Sequence, residues 1–269
     1  MDLQNDYTLL SSRKNPSVLA AASLSCDKKA RDRTSLFALE GQKLLCEALD
    51  AGLAVETVFF TENAAARYAG LLNRAANAAH YLVTDEVFEK LSTESAPQGI
   101  YACVRKPERT GLLSEELPSG GLLLLDGLQN PANLGAIFRS AYALGFQKVV
   151  LSEDCADAYA PKAVRAAMGS LFRLAVYRET ELSKVIDALQ ERGNRVFCTL
   201  LSDKSVKLGS TAFLPTDSFV IGNEGHGASE SVKNACRHSL YIPMADGAES
   251  LNAAAAASSL LWEVRRLPR

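Results

Sequence analysis

From residue 121 on, the chain alternates short, unbroken apolar runs with stretches patterned for helix, which narrows the fold more than any other feature of its 269 residues. The runs read "GLLLLD", "KVVLSE", "FRLAVY", "RVFCTLL", "SFVIG" and "SLYIPM". The intervening segments predict helices over 131–144, 161–170, 181–192, 229–237 and 251–266, with Gly193 as a stop signal after the third. A strand with one wet face carries polar residues at every second position. Runs without them belong to strands buried on both faces, as in a parallel sheet covered by helices. The expectation for residues 120–269 is an α/β domain with a doubly wound parallel sheet, whose ligands lie beyond the carboxyl ends of the strands.

Residues 1–106 mix the same patterns at smaller size. A helix is expected over 39–52, where Leu44, Leu45, Ala48 and Leu49 share one side and Gly52 ends it. An apolar run "VETVFFTE", an alanine-rich helix "AAARYAGLLNRAANA", a strand "HYLVTD", a helix "DEVFEKLST" and a strand "GIYACVRK" follow. This predicts a small α/β domain with no catalytic cluster, a binding module. The segment "VRKPERTGLLSEELPSGG" carries Pro107, Gly111 and Pro118 with little periodicity, so residues 107–119 are expected to be a linker.

Several function classes fall away on composition. No run approaches the roughly 18 apolar residues of a membrane span, and the first residues lack a basic-then-apolar secretory pattern, so a cytoplasmic protein is expected. Six cysteines without a CxxC pair read as reduced, buried small hydrophobes. Three histidines without metal-ligand spacing predict no metal site. A net charge of −2 announces no nucleic-acid partner, but Lys28, Lys29, Arg31 and Arg33 form a local basic cluster interrupted by Asp32. That cluster reads either as a solvated helix face or as a set of phosphate contacts.

The chemistry is concentrated in three turns that follow strands. After "LLLLD" come Asn130, Pro131 and Asn133, then Arg139 inside the helix. Pro131 suits a first helical turn and an asparagine can cap it. After "SFVIG" comes "GNEGHGAS", with three glycines that allow close backbone approach. After "LYIPM" comes "ADGAESLNAAAAASS", with Ser250 and Asn252 ahead of five alanines that permit tight helix packing. No GxxxxGK[ST] occurs, and the glycine-rich turn comes too late in the domain for a dinucleotide-binding oxidoreductase.

Together "DGLQNPANLGAIFRSAYALGF", "FVIGNEGHGAS" and "IPMADGAESLNAAAAASSLLWE" resemble the three motifs of the SpoU family of RNA ribose 2′-O-methyltransferases, within the SPOUT superfamily. "KAVRAAMGSLFRL" between them fits as well, while "SSRKNP", "FALEGQKLLCEAL" and "APQGIYACV" resemble the family's L30e-like substrate-binding domain. The resemblance implies a deep trefoil knot in residues 120–269, a homodimer, and S-adenosylmethionine bound between the knot loops without a metal. Such a cofactor has no phosphate, so the first turn needs no anion cradle. The two-domain layout implies ribosomal RNA in preference to transfer RNA. A protein that kept the fold and binds RNA without turnover is the rival from another class, opposed by the joint presence of the polar motif residues.

Carried over residue by residue, the resemblance places Gly222, Ile242 and Leu251 around the adenosine, with Leu200 at the pocket's edge and Asn252 reaching both cofactor and reaction centre. Arg139, Asn133, Glu224, Ser250 and Asn252 become the catalytic set, and Lys28, Lys29, Arg31 and Arg33 the RNA contacts. The family proposal makes Arg139 a base toward the 2′-hydroxyl. A guanidinium rarely gives up its proton, which favours instead a fixed cation that holds a phosphate and stabilises the developing alkoxide. Asn133 would then orient the guanidinium or the ribose, and Glu224 would either anchor its loop or act on substrate directly.

Overall fold

The computed structural model describes residues 7–109, 111–114, 117, 120–248 and 250–266. Residues 110, 115, 116, 118 and 119 of the expected linker, and Glu249 of the third motif, lie outside the described residues. Two compact units are present, Met1–Glu108 with Tyr159–Arg165, and Arg109–Ala158 with Ala166–Arg269.

The first unit contains β1 (Thr8–Leu10), α1 (Pro16–Cys26), α2 (Lys28–Thr34), β2 (Leu36–Glu40), α3 (Gln42–Asp50), β3 (Val55–Phe60), α4 (Glu62–Arg67), α5 (Ala69–Arg74), β4 (Ala79–Val83), α6 (Asp85–Leu91) and β5 (Ile100–Arg105). Its sheet has the order β1-β4-β3-β5-β2. The β1, β3 and β4 pairings are parallel, and β5 runs antiparallel to both β3 and β2. One core joins Val18 and Leu24 of α1, Phe59, Val87, Phe88 and Tyr101. Asn15 caps α1 by accepting from Ser17 N, and Thr84 caps α6, whose first turn holds Asp85 and Glu86.

The second unit contains β6 (Leu123–Leu125), α7 (Pro131–Ala143), β7 (Lys148–Ser152), the last two residues of α8 (Pro161–Ala167), β8 (Ala175–Glu179), α9 (Leu182–Glu191), β9 (Val196–Thr199), β10 (Val206–Lys207), β11 (Ser218–Ile221), α10 (Glu230–Ala235), β12 (His238–Tyr241) and α11 (Ala253–Arg266). The first five residues of α8 group with the first unit. All strand pairs in the order β10-β12-β9-β11-β6-β7-β8 are parallel. Leu123, Leu124 and Leu125 are completely buried, as an unbroken apolar run requires of a central strand. The chain leaves β6 toward β7 on one side and β11 toward β9 and β12 on the other. The loops after β6 and β11 therefore diverge at a switch point, where doubly wound sheets hold ligands.

Several local expectations change. Residues 36–40, partly read as helix, form β2, because pairing with β5 outweighs the local helical pattern. The alanine-rich segment breaks at Tyr68 into α4 and α5. Of the segment expected as a linker, Leu112 is fully buried in the second unit's core and Leu117 packs against it. Cys103, Cys155 and Cys198 are buried, but Cys26 is exposed, so burial does not account for every thiol. No helix among the described residues is long and apolar enough to cross a membrane.

Candidate active site

The turn after β6 is held from three sides. Asp126 N donates to Ile221 O at 2.9 Å, and the Asp126 carboxylate accepts from Ser229 N at 2.6 Å. Gly127, at a φ of 67°, donates its N–H to Ser152 Oγ at 2.8 Å. Its carbonyl accepts from Asn223 Nδ2 at 2.6 Å. Asn223 Oδ1 meanwhile accepts from Gly225 N (2.8 Å) and His226 N (3.2 Å), which shapes the second motif's turn. Asn223 thus ties the first two motifs together, a role the sequence reading missed. Its signal is an asparagine two residues before a turn glycine.

Asn130 caps α7 by accepting from Ala132 N at 2.9 Å, with Pro131 at the first helical position. Asn133 lies on the buried side of α7 and donates from Nδ2 to Glu224 Oε1 at 3.0 Å. Glu224 also accepts from Gln129 N and Asn130 N, each at 3.3 Å. Asn252 Nδ2 donates to Asn133 Oδ1 at 3.0 Å, while Asn252 Oδ1 caps α11 by accepting from Ala254 N at 2.9 Å. Every amide in this chain of bonds has one consistent orientation. The carboxylate is acceptor only, so Asn133 must turn its NH2 to Glu224 and its oxygen to Asn252. One polar network therefore joins all three motifs.

Burial raises the Glu224 pKa, but donation from Asn133 and from the backbone N–H groups of Glu224, Gln129 and Asn130 outweighs it and holds the carboxyl below its ordinary value. The ionised carboxylate, bonded to Asn133 and to two backbone N–H groups of the first motif, ties the second motif's turn to the first.

The other expected site residues divide. Arg139 is exposed on α7 and has no hydrogen bond or ion pair among the described residues, so it is not joined to the Asn133 network within this chain. Ser250 and Leu251 are exposed and Ile242 is half-buried. Gly222 is buried, and an added Cβ there would lie 2.1 Å from Ala228 N and 2.2 Å from Gly227 C. Its lack of a side chain is demanded by closure of its own loop, whatever the loop binds. Leu200 packs on the α9 side of the core and lines a cavity of about 350 Å³ with Cys198, Ser202, Lys204 and Arg237; none of Gly222, Ile242 and Leu251 lines it.

Lys28, Lys29 and Arg33 are exposed on α2. Arg31 is corrected: it is only 4% exposed and donates from Nη1 to Leu24 O at 2.7 Å. A guanidinium committed to a buried carbonyl staples α2 to α1 and is not a surface phosphate contact. Among the described residues no group of three His, Cys, Asp or Glu side chains could hold a metal ion.

Residues 121–262 match the SpoU rRNA Methylase family, and residues 15–102 match the MRM3-like substrate binding domain. The chain is 31% identical to the 23S rRNA (guanosine(2553)-2′-O)-methyltransferase RlmP of Bacillus subtilis, over 88% of this chain and 92% of that one. Among solved structures, the SpoU methyltransferase AviRb from Streptomyces viridochromogenes in complex with AdoMet superposes with a TM-score of 0.85 at 27% identity, covering 94% of this chain and 98% of that one. The AdoMet-bound rRNA methyltransferase from Sinorhizobium meliloti gives 0.84 at 27% identity, covering 97% and 98%. Motifs, parallel fold and similarity over nearly the whole length agree: the chain belongs to the SpoU rRNA methylase family.

Proposed function

We propose that the chain methylates a ribose 2′-hydroxyl in ribosomal RNA, with S-adenosylmethionine as cofactor. The observation that carries this reading is the Glu224–Asn133–Asn252 network at the sheet's switch point, beside an α7 that presents an exposed Arg139 without a hydrogen bond or ion pair among the described residues. Similarity over 88% of the chain to an enzyme named for 23S rRNA favours ribosomal RNA over transfer RNA.

The residues present suit this cofactor. Residues 221–229 and 242–252 contain no lysine or arginine, as fits a cationic ligand without phosphate. Leu251 and Met244 are 44% and 41% exposed and Ile242 is half-buried, so the third motif offers apolar surface of the kind that encloses an adenine. When bound, S-adenosylmethionine supplies an electrophilic methyl group. Ile242, Leu251 and the backbone at Gly222 would hold it, while Asn133 and Asn252, oriented by Glu224, present polar groups to the ribose. Arg139 engages the substrate phosphate and stabilises negative charge building on the 2′-oxygen as its proton leaves to solvent. Lys28, Lys29 and Arg33 bring RNA to the L30e-like first unit.

A trefoil knot and a homodimer complete the proposal. Supporting the knot, Asn252 at the start of α11 is bonded to α7 and so held to the loops after β6 and β11. Supporting the dimer, α7 and α11 pack together through Ser140 Oγ and Ser258 Oγ at 2.7 Å, yet leave Tyr142 44% and Trp262 60% exposed. The test is calorimetry of the full chain with S-adenosylhomocysteine, then transfer of labelled methyl to ribosomal and transfer RNA. Saturable heat and label in ribosomal RNA are expected; label in transfer RNA alone, or none, would overturn the proposal.

A further inference from the structure

We infer that Arg178 is a positioning residue for the active-site turn, acting through the loop after β7. This rests on the methyltransferase reading of the turn. Arg178 stands on β8 opposite Leu151, one ladder pair before β7 ends at Ser152. Its Nη1 donates to Ser152 O (3.0 Å), Glu153 O (2.7 Å) and Cys155 O (3.0 Å), and its Nη2 to Ala156 O (2.9 Å). One forked cation thus gathers four carbonyls of a five-residue loop that also carries Glu153 and Asp154. A lysine offers no such planar fork.

That loop is bonded to the turn after β6 at every residue from Gly127 to Gln129. Ser152 Oγ accepts from Gly127 N at 2.8 Å, Cys155 Sγ from Leu128 N at 3.3 Å, and Asp154 O from Gln129 Nε2 at 2.6 Å. Ala156 N returns a bond to Leu128 O at 2.7 Å. On its other side the same turn gives Gln129 N and Asn130 N to Glu224. Arg178 therefore sets the loop that sets the turn from which Asn133 and Glu224 are aligned. It touches none of them.

Hydrogen exchange and steady-state kinetics on the full chain test this with Arg178→Lys, Arg178→Ala and Ser152→Ala, the last removing one hydroxyl and serving if the arginine variants do not fold. Expected are amide exchange at residues 127–130 and a kcat loss that each change by about tenfold or more, since small misplacements of catalytic groups cost that much. KM for S-adenosylmethionine stays unchanged, and Lys does not rescue. Asn133→Ala should cost less in the Arg178→Ala or Ser152→Ala background than alone, a coupling that a merely structural role would not produce. Unchanged exchange, unchanged kcat or strictly additive losses would overturn the inference. If the wild type itself transfers no methyl group, the enzymatic reading fails, while the exchange data still decide whether Arg178 orders the turn.

Discussion

Glu224 shows how one side chain sets the orientation of others. Its pKa is held below the ordinary value, so the ionised form favours folding; that contribution is complete above the unfolded-state pKa and is lost as pH falls through the lowered one. Glu224→Gln should remove about 1 kcal/mol at neutral pH, at the low end for charge-assisted bonds because the site is solvent-exposed. Denaturation across the acid range should show the wild type converging on the variant, and parallel curves would refute the assignment. Arg139→Ala should lower kcat by about a hundredfold or more while leaving S-adenosylhomocysteine affinity nearly intact. Arg139→Lys should recover little if the fork holds two oxygens, which paired kinetics and calorimetry will decide. The polar motif residues were legible because each follows an apolar strand. The burial of Arg31 was not, since its partner is a carbonyl seven residues earlier, placed by the turn between α1 and α2.

Helix α2 has two faces with separate consequences. Replacing Lys28, Lys29 and Arg33 together with alanine should weaken RNA binding and flatten its salt dependence, read from filter binding at several salt concentrations. Arg31→Ala should instead lower the melting temperature without changing the salt slope; equal effects on binding from both variants would contradict the division. The central strands β6, β7, β9 and β11 of the second unit were legible in the sequence, because burial on both faces leaves an unbroken apolar signature, whereas the run "FRLAVY" begins three residues before β8 and stops two short of its end. In the first unit β2 was not legible, since "FALE" runs into the helical pattern of α3 and its strand state comes from β5, more than sixty residues later. The two-residue β10 carries too little pattern to be seen at all.

The assembled molecule leaves Tyr142 and Trp262 uncovered on the paired helices α7 and α11. In the proposed homodimer this surface is buried, so Tyr142→Glu with Trp262→Glu should shift the mass measured by light scattering from dimer to monomer. A wild type that is monomeric at micromolar concentration would remove that part of the proposal. The central claim is the reaction itself, transfer of a methyl group to a ribose oxygen of ribosomal RNA. Its most direct measurement is mass spectrometry of nucleosides from unmodified ribosomal RNA incubated with the protein and S-adenosylmethionine. A single 2′-O-methylated nucleoside, absent with Arg139→Ala, is the predicted result; methylation on a base, or none with the wild-type chain, would contradict it.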